Sequence, residues 1–493
     1  MNYSLIRNIL GKIILLLAIF MILPIFIAIY YNEPTINIIS FLIPGLSLGL
    51  IGFLMSVFKA KDTKILAREG FVIVGLSWIL MSIFGCIPFI VSKEIPNFFD
   101  AFFEITSGFT TTGSTILSSE AIDSMSHSML FWRSFSHWIG GMGILVFILA
   151  FIPESKDGTT VHILRAESTG PSVGKLVSKM QVTTRILYLI YMGLSIVMFI
   201  TLLILPDENM GVFDSLITTF GTAGTGGFSN HGLSIGFYSA SVQYTVGIFM
   251  VLFGVNFTVY YLLLTGHLKE AFKNEEVIWY FGFVILFTIV IFVNILNVYS
   301  TTEEAFRHAF FQTASIISTT GFSTTNYGVW PALSLSSIMF LTLVGSCAGS
   351  TAGGIKVSRF AIISKQTFID IEKMTSPRKI RKLRMNRKVV DDNIISSVKT
   401  YLLTYAIIFV ASTILISIYN PSMENLDPLT SFSSSLTCLG NVGPGLGIVG
   451  PVGNFGGYSY FSKMVLSIEM MMGRLELFPI LILFNPQTWK KRI

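Results

Sequence analysis

Four stretches of this chain repeat one local design, a short run of apolar and hydroxyl-bearing residues that ends in a glycine turn. They read DAFFEITSGFTTTG (100–113), FDSLITTFGTAGTGG (213–227), HAFFQTASIISTTG (308–321) and TSFSSSLTCLGNVG (430–443). Counting back 13 residues from Gly113, Gly227, Gly321 and Gly443 reaches Asp100, Asp214, His308 and Thr430, so the offset holds in every copy. Each segment is too short to cross a bilayer, which takes about 20 apolar residues in a helix. Long apolar runs flank each one, so the repeating unit is a span, a half-length helix with a glycine turn, and a second span. Four such re-entrant units around one axis describe a cation pore.

The setting is a membrane. The chain is 52% hydrophobic and 12% charged, against roughly 25% charge in soluble domains. Apolar runs predict ten spans, near 13–31, 36–57, 70–92, 129–152, 183–205, 241–266, 277–298, 333–363, 397–419 and 460–484. The first is read as a retained span, since no small-residue cleavage site follows it. The result is an all-α integral membrane protein: a two-helix segment at 1–69, repeats at 70–160, 161–275, 276–370 and 394–493, and a basic linker at 371–393.

Lysine and arginine set the orientation. With the amino terminus inside, only Lys93, Arg133, Arg307 and Lys463 fall outside, which leaves 29 of the 33 basic residues at or near the cytoplasmic face. The inner set includes Lys59, Lys61, Lys64, Lys156, Arg165, Lys175 and Lys179. All four glycine turns then face outward. Around them lie Glu94, Asp100, Glu104, Glu120, Asp123, Asp207, Glu208, Asp214, Glu303, Glu304, Glu424 and Asp427, expected to form a negative vestibule that concentrates cations. The net charge of +6 is therefore a matter of topology, not of nucleic acid. The run MTSPRKIRKLRMNRK (374–388) has no interleaved aromatics and links two spans, so it is expected to lie against anionic lipid, with a docking surface for a cytoplasmic partner as the alternative.

A dehydrated monovalent cation needs its water oxygens replaced, and a ring of backbone carbonyls does this without fixed charge. Such a ring requires some residues at φ > 0, which glycine adopts without steric cost. The candidate lining is Thr111, Thr112 and Gly113; Thr225, Gly226 and Gly227; Thr319, Thr320 and Gly321; and Asn441, Val442 and Gly443. The last copy continues as Asn-Val-Gly-Pro-Gly, close to the Thr-Val-Gly-Tyr-Gly filter of potassium channels. Each half-helix would aim its partially negative carboxyl end at the centre. Asp100 and Asp214 are expected to act as helix caps, and His308 to begin the third half-helix as a vestibule residue.

The span 333–363 contains Gly345-Ser-Cys-Ala-Gly349-Ser-Thr-Ala-Gly353-Gly354, which breaks a helix at about 1 kcal/mol per glycine. Broken helices at membrane depth line cavities or are buried in protein. The loop 345–356, ending in Lys356, is expected beneath the lining as a gate. Arg474 is its natural partner, because an arginine in a membrane helix costs roughly 2.5–3.5 kcal/mol unless it faces a cavity or partner, and loop carbonyls could accept its donors.

Other chemistry is not indicated. The histidines are scattered, without HExxH or paired carboxylates, so no enzyme is read. Cys86, Cys347 and Cys438 lack ligand spacing. Gly445-Leu-Gly447-Ile-Val-Gly450 has no strand before it, and 169–176 is one residue short of a phosphate loop, so no organic cofactor is expected.

On these residues the chain resembles the TrkH/KtrB/HKT superfamily of potassium transporters, and within it the TrkH type, the membrane subunit of bacterial Trk systems. The likeness is carried by FTTTGS (109–114), GTGGFS (224–229), STTGFS (318–323), GNVGPGLG (440–447), WRSFSHWIGGMGI (132–144), RAESTGP (165–171), GSCAGSTAGGIK (345–356) and MMMGRLELFP (470–479). It covers essentially the whole chain, and the two additional amino-terminal spans favour TrkH over KtrB. In plant-type relatives a serine in the first filter accompanies sodium transport; here that position is Gly113, so the resemblance implies potassium. It also implies a homodimer with one pore per subunit, a cytoplasmic ring of TrkA-like nucleotide-binding regulatory subunits, and an inner-membrane location with both termini cytoplasmic. Potassium would be the only bound ion and would pass through a channel-like pore. A secondary transporter coupling potassium to proton or sodium flux is the alternative.

Overall fold

The computed structural model describes residues 1–58, 66–143, 180–376, 378, 381–418 and 427–490. The basic residues Lys59, Lys61, Lys64, Lys156, Arg165, Lys175 and Lys179, the stretches 165–171 and 169–176, and Glu424 lie outside them.

Two helices precede the repeats. Tyr3–Phe20 continues past Met21 into Ile22–Tyr30 as one span of 28 residues, starting earlier than the apolar run at 13 and taking in Arg7 and Lys12 near its amino-terminal end. The second, Thr35–Val57, crosses it where glycines allow backbone contact: a Cβ on Gly52 would stand 2.7 Å from Leu15 N.

Four units follow in one order. The leading spans are Ala67–Ser92, Met180–Ile204, Glu275–Ile295 and Asp392–Ile418. The half-helices are Phe98–Phe109, Val212–Ala223, Thr302–Ile317 and Pro428–Gly440. The return helices are His127–Met142, Ala240–Phe253, Ala332–Val344 and Tyr460–Arg474. Among the described residues six helices are long and apolar enough to cross a membrane, so the chain is a multi-pass membrane protein. The two ends of the chain meet on one side: Tyr3 Oη donates to Trp489 O at 2.6 Å, and the amino terminus reaches Lys490 O at 3.3 Å.

The structure breaks 333–363 at the glycine-rich loop, as expected, and corrects two other return spans expected to be continuous. The 241–266 run bends by 91° between Ala240–Phe253 and Phe257–Leu264. The 333–363 run stops at Val344 and resumes as Val357–Thr375, and the 460–484 run breaks between Arg474 and Phe478. Hydropathy does not register the breaks at 254–256 and 475–477 because each is short and lies inside an apolar run. What stops the helices is local: Asn256 caps a new helix by accepting from Thr258 N–H at 2.9 Å, and Glu476 and Leu477 take positive φ of 59° and 67°.

The helix starts also differ. Asn97 caps the first half-helix, accepting from Phe99 N–H at 2.9 Å, and Thr301 caps the third, accepting from Glu304 N–H at 3.1 Å. Asp100 and Asp214 lie in the first turn instead, where a carboxylate still complements the helix dipole. Asp100 pairs with Lys463 at 2.5 Å, and Asp214 accepts from Asn230, His231 and Tyr238. His308 is mid-helix and buried, with Nδ1 2.8 Å from Thr324 Oγ1, so it faces protein and not the vestibule.

The basic linker contains a short hairpin. Arg384–Met385 pairs with Lys388–Val389 as a β-hairpin, and Leu383 beside it is buried with Ile362, Ile369, Ile395 and Val398.

Candidate ion pathway

Each half-helix ends in the same way. The residue after the first turn position is left-handed: Thr111 at φ 54°, Thr225 at 56°, Thr319 at 56° and Asn441 at 53°. The next N–H then folds back to the helix: Thr112 to Ser107 O (2.9 Å), Gly226 to Gly221 O (2.8 Å), Thr320 to Ser315 O (2.9 Å) and Val442 to Thr437 O (2.9 Å). This is the Schellman closure, usually built on glycine. A β-branched residue at φ > 0 is a strained conformation of the kind that collects at functional sites.

The glycines close the ring. A Cβ on Gly113 would overlap the carbonyl oxygen of Gly226 in the next repeat; one on Gly227 would overlap Thr320 O, and one on Gly321 would overlap Val442 O. From Gly443 the nearest atom is Thr112 O, at 2.8 Å, which returns to the first repeat. All twelve candidate lining residues are thereby brought together, and Thr111, Thr112, Thr225, Thr319, Thr320, Asn441 and Val442 are fully buried. Hydroxyls and an amide brace the backbone behind them: Thr110 Oγ1 to Thr112 Oγ1 at 2.8 Å, Ser318 Oγ to Thr320 Oγ1 at 2.7 Å, and Asn441 Nδ2 to Thr112 Oγ1 at 2.9 Å.

The second repeat differs, and His137 explains why. A side chain on Gly226 would collide with the His137 ring, which occupies that space. The ring lies 2.7 Å from Gly108 O through Nδ1, and its Nε2 accepts from Phe228 N–H at 3.2 Å, so it ties the first half-helix to the second turn. Sequence reasoning passed over this residue as one scattered histidine; its position inside WRSFSHWIGGMGI was the available signal.

Above the ring a cavity is lined by Gly113, Gly227, Gly321, Gly443, Arg133 and His231. Three of the acidic residues named for this side are held by arginine or lysine. Glu104 is fully buried and holds Arg133 at 2.8 Å, Asp100 holds Lys463, and Glu303 holds Arg307 at 3.0 Å. These pairs engage Glu104, Asp100 and Glu303 only, so the acidic excess around the cavity persists, with Glu120, Asp123 and Glu208 exposed. Glu104→Ala would strand a buried guanidinium at a cost of about 3–5 kcal/mol. Its expected result is a marked fall in thermal stability in detergent, read by tryptophan fluorescence, and a melt like that of the parent would show the pair to be dispensable.

Below the ring lies the loop 345–356. Gly345, Gly349 and Gly354 have φ of 70°, 71° and 77°, and Lys356 has φ of 83°. Gly353 N–H donates to Thr319 Oγ1 at 2.7 Å, and a Cβ on Gly353 would come within 2.7 Å of Asn441 Cβ, so the loop abuts the lining directly. Lys356 Nζ donates to Ala352 O inside the loop. Arg474 reaches across: Nη1 donates to Thr351 O at 2.5 Å and to Thr111 Oγ1 at 2.9 Å, and Nη2 donates to Gly140 O and Gly141 O at 2.5 Å each. The expected loop carbonyl is therefore one of several acceptors. Two others, Gly140 O and Gly141 O, come from the end of the first return helix, where Gly140 O also accepts the Gly143 N–H at 3.1 Å.

Comparisons with known proteins fit this geometry. A family model described as TrkH, cation transport protein, matches residues 46–491. The Trk system potassium uptake protein TrkH of Escherichia coli (strain K12) is 32% identical over 502 residues, covering 100% of both chains. The Trk system potassium uptake protein TrkG of the same strain is 29% identical and covers 97% of each. The crystal structure of the potassium transporter TrkH from Vibrio parahaemolyticus superposes with a TM-score of 0.87 at 29% identity, covering 99% of this chain and 100% of that one. With a family match across most of its length and a relative above 30% identity end to end, the chain belongs to the TrkH family of cation transport proteins.

Proposed function

We propose that this chain is the membrane pore of a potassium uptake system, in which potassium is the substrate and binds at the ring of Thr111–Gly113, Thr225–Gly227, Thr319–Gly321 and Asn441–Gly443. The cyclic closure of four inequivalent repeats, each glycine against the next repeat's carbonyl, is the observation that carries this reading. A closed ring of oxygens selects by replacing water around a cation. The segment 345–356 is the gate, held against the ring by Arg474 and lined by Gly345, Gly349, Gly353, Gly354 and Lys356. The names of the relatives support potassium as the cargo and a multicomponent Trk system as the context. In that context the chain works as a homodimer in the inner membrane, with a TrkA-like nucleotide-binding ring on its cytoplasmic side.

Reversal potentials in proteoliposomes test the reading. The expected potential follows the potassium gradient and shifts little when sodium is exchanged for an impermeant cation. A potential that follows an imposed proton or sodium gradient would replace the channel-like mechanism with coupled transport.

A further inference from the structure

Two neighbouring glutamates at the start of the span Glu275–Ile295 hold two different things. Glu276 is buried, and its Oε1 accepts the N–H of Ala348 in the loop 345–356 at 2.6 Å. Glu275 faces the cytoplasmic hairpin: its N–H donates to Asn386 Oδ1 at 2.8 Å, and its carboxylate pairs with Lys365, which also donates to Arg384 O at 3.2 Å. Asn386 is the tip of the hairpin 384–389, and Lys365 lies on Val357–Thr375, the helix that leaves the loop. The hairpin therefore touches the helix that leaves the loop and the span whose Glu276 holds the loop. The outer half of the loop has fixed seats besides: Cys347 N–H donates to Gly254 O at 3.2 Å, and Gly349 O accepts from Phe257 N–H at 3.1 Å.

We propose that the hairpin 384–389 is a handle on the loop 345–356, linked to it through the first turn of Glu275–Ile295, with Glu276 the positioning residue that holds the loop closed. The inference rests on the gating reading of that loop. A displacement of the exposed hairpin, whose Arg384, Arg387 and Lys388 offer cationic charge to an acidic cytoplasmic surface, tilts the first turn at Glu275 and carries Glu276 away from Ala348. Charge-assisted acceptance by a carboxylate is about twice as strong as a neutral hydrogen bond, so the loss of this one contact is felt by a segment with few others of its kind.

Cys347, adjacent to Ala348 and fully buried, is a built-in reporter. In the full-length protein with Cys86 and Cys438 replaced by alanine, its rate of modification by a cationic thiosulfonate is measured together with partner-free potassium flux. Glu276→Ala is expected to raise the modification rate about tenfold, whereas Glu276→Gln, which keeps an acceptor, stays near the parent rate. Asn386→Ala is expected to raise it about threefold in the parent and to add nothing in the Glu276→Ala background, the signature of one coupled path. Multiplying effects in the double variant would overturn the proposal. So would a parent rate in Glu276→Ala when Arg474→Ala labels fast. Should Glu276→Ala not reach the membrane, Asn386→Ala and Lys365→Ala, both at the surface, must still speed modification, and unchanged rates in both would refute the link. Faster labelling without any rise in flux, in these variants and in Arg474→Ala alike, would leave the relay standing and remove the gate.

Discussion

Replacing Arg474 with alanine is expected to raise potassium flux in the absence of any regulatory partner by about tenfold or more. The acceptors of the guanidinium include Thr351 O in the loop, Thr111 Oγ1 in the ring, and Gly140 O and Gly141 O at the end of the first return helix. Hydrogen bonds to a charged group contribute about 1.5–3 kcal/mol each, and every 1.4 kcal/mol is a factor of about ten in a population. Losing the loop contact alone is thus enough to move a mostly closed loop toward open. The loop has little helical preference to hold it otherwise, with glycine at 345, 349, 353 and 354. Arg474→Lys should leak to an intermediate degree, since an ammonium lacks the rigid fork that spans Thr351 and the two glycine carbonyls. Deleting 349–353 should act in the same direction as alanine. Selectivity should be largely kept, because the ring is closed by its own backbone bonds, such as Thr112 N–H to Ser107 O. Lower or unchanged partner-free flux at normal membrane abundance, in both Arg474→Ala and the deletion, would take the gate away from this loop.

Arg474 also explains why ring and loop act as one assembly. Thr111 is both the strained left-handed residue of the first turn and an acceptor for the arginine. Thr319 occupies the same backbone position in the third turn and accepts from Gly353 of the loop. Two of the four left-handed residues are therefore braced from below while the loop is closed. Strain of about 1–3 kcal/mol per residue persists only where surroundings over-determine it, and these contacts are part of those surroundings.

The parts of this site that could be read from the chain are those whose chemistry is local. A constant spacing to a glycine marks a backbone position that needs φ > 0, and the four turns stand where that spacing put them. The three threonines at φ > 0 could not be read, because β-branched residues ordinarily avoid that region. Breaks in the return helices were visible where glycines accumulate, at 345–354, and hidden where one capping asparagine or a left-handed Glu476–Leu477 pair ends a helix inside an apolar run. The helix caps were misplaced because Asn97 and Thr301 lie upstream of the repeated pattern. The vestibule charges were counted but not paired: Arg133 finds Glu104 29 residues away, and Lys463 finds Asp100 363 residues away. Such partners are a product of the closed fold and have no signature in spacing.

Gly113→Ser is expected to bring the potassium-to-sodium permeability ratio down toward unity, with a loss of total flux. Gly113 has φ of 83°, a region that costs an L-residue about 1–2 kcal/mol. The larger effect is steric. The new Cβ would overlap Gly226 O, so the second repeat must retreat, while Thr320 O at 3.6 Å stays in ordinary contact. The overlapped atom is a backbone carbonyl, which no rotamer change can move aside. Since each turn leans on the next, a shift of Gly226 is passed to Gly227 and on to Thr320, and a ring that fits one ion radius is replaced by a wider, irregular one. Gly113→Ala should be nearly as damaging, because the Cβ and not the hydroxyl makes the overlap. The four positions should also rank: Gly113, Gly227 and Gly321 overlap a carbonyl outright, while Gly443 stands 2.8 Å from Thr112 O and should tolerate alanine best. Gly193→Ala and Gly282→Ala, where nothing lies within 4 Å, should leave both flux and the ratio unchanged. Bi-ionic reversal potentials on this series decide the matter. A ratio in Gly113→Ser equal to that of Gly282→Ala would mean that ions do not pass through the ring these glycines close.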